Sequence, residues 1–171
     1  MAVKITLGEL AKKFATAPFK FDGVVNKELK VVGVKVRDDA TKKFGQYQPA
    51  VGDLPAWAPL KPATIKAKER AGGGEDPLIG HFASSKKHRK SGWKSGSRKV
   101  WGMPLRSSIM LHVDGMVAHI GTDNPLARYH EYGAPAKNIP PRPFLRPAAF
   151  ENQKFFMERM ALAWEEVIKL L

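Results

Sequence analysis

The sequence predicts an α+β fold, a small antiparallel sheet packed with an N-terminal helix and a long C-terminal helix. Three observations predict it. Val25, Leu29, Val32, Val36, Ala40 and Phe44 recur at three- and four-residue intervals, which places them on one face of a helix. Residues 109–113 and 116–120 flank Asp114-Gly115, a dipeptide favoured in two-residue hairpin turns. Phe156, Met160, Trp164, Val167 and Leu171 form one stripe of a helix running from Ala148 to Leu171.

The elements follow in chain order. Leu7, Leu10, Phe14 and Ala15 have helical spacing, and Pro18 is expected to stop this segment as a short helix or docking arm. The next helix takes Asp22 as N-cap and Gly45 as stop, with Lys27, Lys30, Lys35, Arg37, Lys42 and Lys43 on its wet face. Its interior Gly33 and its valines argue against it on propensity. Residues 45–62 are irregular, punctuated by Pro49, Gly52, Pro55, Pro59 and Pro62. A helix over about 62–71 starts at Pro62, which suits a first turn, and ends at Gly72-Gly73-Gly74. That glycine run lacks the Gly-Lys-Ser/Thr ending of a phosphate-cradling loop. In the hairpin, Ile109, Leu111 and Val113 share the core face with Met116, Ala118 and Ile120, leaving Met110, His112, Val117 and His119 opposite. Pro125 starts a short helix that Gly133 ends, and residues 135–147 form a proline-rich extended run. A length of 171 residues fits one domain, with a basic loop inserted at about 81–103.

Composition narrows the class. The 29 Lys and Arg exceed the 16 Asp and Glu, for a net charge of +13. Such an excess implies a polyanionic neighbour, whether nucleic acid, anionic membrane or acidic protein, or else a surface charged for solubility. There is no cysteine, which excludes disulfides, thiolate metal sites and cysteine nucleophiles. No window reaches the ~18 apolar residues that a membrane span needs. The N-terminus lacks the apolar region of a secretory signal, so assembly in the cytoplasm is expected.

Catalytic constellations are hard to find. His112 and His119 lie on one hairpin face, but a zinc site needs three or four ligands. His130-Glu131 is half of a His-Glu-x-x-His signature whose second histidine is replaced by Ala134. Gly92-Trp93-Lys94-Ser95-Gly96 does not match the nucleophile elbow of hydrolases. The acids Glu28, Asp38, Asp39, Glu165 and Glu166 are scattered, and only Glu75-Asp76 hints at the carboxylate cluster of a metal-dependent nuclease. The expectation is a non-enzymatic protein with no cofactor and no metal. The basic loop carries Lys86, Lys87, Arg89, Lys90, Lys94, Arg98 and Lys99 beside Trp93 and Trp101 on a Gly/Ser framework. Sequence-independent contact with DNA phosphates and contact with an acidic protein both fit it.

Several spaced motifs carry a resemblance. They are Trp57-Ala58-Pro59-Leu60-Lys61-Pro62-Ala63-Thr64; Pro77-Leu78-Ile79-Gly80; Pro104-Leu105-Arg106-Ser107-Ser108-Ile109; Ala118-His119-Ile120-Gly121-Thr122; Ala127-Arg128-Tyr129-His130-Glu131-Tyr132-Gly133; and Ile139-Pro140-Pro141-Arg142-Pro143-Phe144-Leu145-Arg146-Pro147-Ala148. Their order over about residues 55–150 resembles the virion-morphogenesis and tail-completion (head–tail joining) proteins of tailed phages. The resemblance implies a homo-oligomeric ring, hexameric or dodecameric, in the virion neck between portal or connector and tail terminator or tube proteins. DNA would pass through such a ring, and no catalytic residues carry over. It also implies an assembly role for Arg142, Pro143, Phe144, Leu145, Tyr129 and Glu131. The prolines would stiffen an arm presenting Phe144 and Leu145 as anchors, and Arg142 would pair with Glu131 within the fold or across subunits. Packing of the arm as an edge strand on its own core is the other reading. The segment 81–103 departs from the family pattern, so the resemblance assigns it no role.

Overall fold

A computed structural model describes residues 7–70, 74–78 and 105–170. The predicted basic loop lies outside the described residues, and with it Lys86, Lys87, Arg89, Lys90, Lys94, Arg98 and Lys99. The described elements are α1 (Leu7–Lys42), α2 (Pro62–Arg70), strands β1 (Met110–Asp114) and β2 (Val117–Gly121), α3 (Leu126–Tyr132), α4 (Leu145–Glu151) and α5 (Gln153–Leu170). The two strands pair with each other as a two-stranded sheet. Short 3₁₀ turns occupy Leu105–Ser108 and Pro135–Lys137. The fold is therefore α+β, with helices at both ends of the described residues.

The chain forms two compact units. The first takes α1 as far as Lys35, the hairpin residues Leu111–His119, and the chain from Asn152 on. Its core is Val24, Val25 and Leu29 of α1 with Ala163 and Val167 of α5, flanked by Phe21, Val113, Ala118 and Met160. Burying such side chains stabilises by roughly 1.5–3 kcal/mol each. Gly33 has a packing reason: a Cβ there would lie 2.5 Å from Leu111 Cδ1, so its bare backbone makes room for the hairpin. Glu28, 3% exposed, pairs with Arg159, a buried carboxylate that needs its partner. Asn26 Nδ2 donates to the Gly115 carbonyl at 2.8 Å and holds the turn of the hairpin.

The second unit takes Val36–Met110 and Ile120–Glu151. Val36, Ala40, Phe44, Trp57, Ile109, Ala127, Phe144 and Ala148 are among its buried side chains, with Pro77 and Pro143. Phe44 and Phe144 meet edge to face with ring centroids 4.9 Å apart, a favoured aromatic geometry. Lys43 donates to both carboxylate oxygens of Glu151 at 2.8 Å. Gly45, at φ 90°, makes the reversal that ends α1 and donates its N–H to Pro77 O at 3.0 Å.

Five expectations are corrected. Helix α1 runs through Pro18; proline removes one donor, a local penalty of ~3 kcal/mol that a long helix fixed by its later turns absorbs. The hairpin turn is Gly115-Met116, one residue later than expected. Only Gly115 has positive φ there (54°), the pattern of a type II′ turn, and Met116 falls in the turn, 52% exposed. The run 135–147 is not extended throughout, since it contains a 3₁₀ turn and the first residues of α4. The terminal helix breaks at Asn152, whose residue type favours caps and turns over helix interiors. On α5 the buried line is Ala163 and Val167, while Trp164 is 57% exposed.

Candidate functional site

The motif segments 127–133 and 140–148 come together in the second unit as one hydrogen-bonded corner. Its foundation is local. Ser108 and Thr122 share a hydroxyl hydrogen bond of 2.6 Å, and Thr122 Oγ1 accepts from the Asn124 N–H at 3.1 Å. Asn124 Oδ1 in turn accepts from the Leu126 N–H at 3.0 Å, which starts α3 with the side-chain turn typical of Asn. Gly133 ends α3 at φ 76°, where a Cβ would sit 3.0 Å from the Pro141 nitrogen. The chain then closes a small loop through the paired Ala134 and Ile139, with Asn138 in the left-handed region at φ 53°.

Glu131 is the centre. Its side chain is 6% exposed, and its carboxylate accepts from the N–H groups of Phe144 (2.8 Å), Leu145 (3.1 Å) and Arg146 (3.0 Å). These are amides at the start of α4, where a helix leaves donors without intrahelical acceptors and favours negative charge. Arg146 closes the arrangement, its Nε 3.2 Å from Glu131 Oε1 and its Nη2 donating to the Glu131 carbonyl at 2.6 Å. Its guanidinium lies 4.6 Å from the Tyr132 ring centre.

Arg142 does not pair with Glu131, as the sequence had suggested. Its backbone N–H donates to His130 O at 2.6 Å, and its side chain donates to Ala58 O (2.9 Å from Nη2, 3.2 Å from Nε) and Pro59 O (3.3 Å). A planar fork suits such carbonyls, and the Trp57 segment supplies them. Trp57 completes the seam by donating Nε1–H to Pro143 O at 2.8 Å. Burial lowers the Arg142 guanidinium from its ordinary value. His130 is held down by burial and then by Arg142, and its Nδ1 is buried without a hydrogen-bond partner.

Pro143 and Phe144 are fully buried and Arg142 is 6% exposed, so these three are structural within their own unit and do not project from it as anchors. Leu145 and Tyr129 are half-buried. Tyr129 carries the Lys137 ammonium 3.9 Å from its ring centre, and that amine's hydrogen bond lowers the phenol from its ordinary range. Sequence reasoning missed Arg146 and Asn124. It also missed that the Trp57-Ala58-Pro59 motif serves as the acceptor for Arg142, although the presence of that motif was the available signal. Lys68 was missed too: its ammonium donates to the Asp76 carbonyl, and burial lowers it from its ordinary value.

Among the described residues, no group of three or more His, Asp or Glu is placed to hold a metal ion. No helix among them is long and apolar enough to cross a membrane. Comparison with protein-family models, curated proteins and solved structures finds no match for this chain.

Proposed function

We propose that the chain is a structural, non-enzymatic subunit of an oligomeric ring at a phage head–tail junction, located in the virion and joining connector to tail around the DNA path. The observation that carries this reading is the corner built on Glu131. Two sequence segments that resemble the tail-completion family meet there, and their main polar contacts serve architecture: capping α4, anchoring Arg142 and seating Trp57. Self-association gains support from large apolar side chains left in solvent, among them Met157 (65% exposed), Ile168 (66%) and Trp164 (57%), since soluble monomers rarely keep such groups together uncovered. The test is mass measurement and negative-stain microscopy of the purified full chain. Rings or discrete oligomers are expected, and a strictly monomeric protein absent from virions refutes the reading.

The +13 charge favours a second reading, a DNA-binding accessory protein. That reading predicts duplex binding by the monomer, independent of sequence and falling steeply with salt.

A further inference from the structure

The corrected turn changes the relation of two histidines. With Gly115-Met116 as a two-residue turn between β1 and β2, residue 114 pairs with 117, and His112 falls directly opposite His119. Both are exposed, while Val113 and Ala118 on the other face pack toward the core of the first unit. Directly opposed residues of an antiparallel pair hold their Cβ atoms roughly 4.5–5.5 Å apart. Two imidazoles at that spacing can converge on one ion with metal–nitrogen distances of about 2.0–2.1 Å. Asp114 follows on the same face and Glu or Asp elsewhere adds no third ligand, since no cluster of three such residues exists among the described residues.

We propose that His112 and His119 form a two-imidazole site for a divalent transition ion that favours nitrogen ligands, such as Zn²⁺, Ni²⁺ or Cu²⁺. Imidazole suits these ions and disfavours Mg²⁺ and Ca²⁺. Water, or a ligand from another molecule, fills the remaining coordination positions, so the site is exchangeable and clips the hairpin across its strands. A net charge of +13 opposes diffuse cation binding, so saturable uptake requires real ligands. The site is independent of the ring reading.

The test is calorimetric titration of the full chain with Ni²⁺ and with Zn²⁺. It compares wild type, His112→Ala, His119→Ala and a control with both His81→Ala and His88→Ala. Each single variant on the hairpin is expected to weaken binding by about tenfold or more, as loss of one of two bonds to the ion requires, with the control unchanged. Imidazole NMR signals of both His112 and His119 are expected to shift together in the wild type, a readout that does not depend on the variants folding. Absence of saturable binding, wild-type affinity in either hairpin variant, loss of binding in the control, or movement of only one imidazole overturns the proposal.

Discussion

Removing the Glu131 side chain tests the architecture at its densest point. In Glu131→Ala, the N–H groups of Phe144, Leu145 and Arg146 lose their acceptor and Arg146 loses its ion-pair partner. Hydrogen bonds to a charged group are worth about 1.5–3 kcal/mol each, but these share one carboxylate and do not add. Water can reach Arg146, which is exposed, whereas the amide of the buried Phe144 has no substitute. The cost should therefore be about 3–5 kcal/mol, from the loss of hydrogen bonds to a charge together with one buried amide left without an acceptor. Glu131→Gln keeps an acceptor oxygen and loses the charge, for about 1–3 kcal/mol. Hydrogen exchange resolved at residues 144–146 reads this locally, where 3–5 kcal/mol corresponds to roughly 150- to 5,000-fold faster exchange. Protection within tenfold of wild type in the alanine variant would show that Glu131 does not hold the corner.

Arg142→Lys should destabilise the second unit by about 2 kcal/mol or more, because one ammonium cannot reproduce the fork onto Ala58 and Pro59; urea unfolding within ~0.5 kcal/mol of wild type would contradict this. His130 titrates below its ordinary 6.5 in the folded chain. The unfolded state therefore takes up the proton first, so this residue's contribution to stability is complete above pH 6.5 and declines as pH falls below it toward the folded value. His130→Asn should flatten that part of the stability profile, and an unchanged acid slope between the two proteins would refute the assignment. Gly33→Ala gains about 1 kcal/mol of helix propensity but drives a methyl into Leu111, so a net loss of about 1 kcal/mol is expected. In a Leu111→Ala background the same change should stabilise, and thermal unfolding of the double-mutant set decides.

The sequence was legible where local periodicity and burial coincide. Val25, Leu29, Val32, Val36, Ala40 and Phe44 were expected on one helix face, and all are buried, because a long helix leaves that stripe no other destination. Gly33 seemed a flaw in that helix, since its partner Leu111 is far away in the chain. The inward faces of Leu111, Val113 and Ala118 were read correctly, but the turn was not, and Met116, expected on the core face, lies in the turn and is exposed. Both Asp114-Gly115 and Gly115-Met116 satisfy one glycine at positive φ, and parity keeps Leu111, Val113 and Ala118 inward in either register. The site was less accessible. Its motifs were visible, but the bonds of Glu131 to residues 144–146 and of Arg142 to Ala58 span 13 to 84 positions and exist only once the second unit has folded.

Helix α5 shows what the burial pattern implies for assembly. Its own unit covers Ala163, Val167 and part of Met160. Met157, Ala161, Trp164 and Ile168, spaced four, three and four, form a second apolar line that is exposed. Trp164 touches Phe21 at 4.8 Å and still leaves most of its surface in water. If the chain assembles into a ring, this line, and not the buried Pro143-Phe144 arm, is where a neighbouring copy gains most from contact. Covering the three large side chains would contribute roughly 1.5–3 kcal/mol apiece before the costs of association. Trp164→Glu with Ile168→Glu should then yield a folded protein of lower mass by light scattering, with thermal stability of the isolated subunit near wild type. Phe144→Ala should act the other way, lowering stability by about 3–5 kcal/mol through a core cavity while leaving any residual folded protein competent to assemble. Rings that survive the paired glutamates would move the contact elsewhere, to the hairpin face of Met110 and Val117.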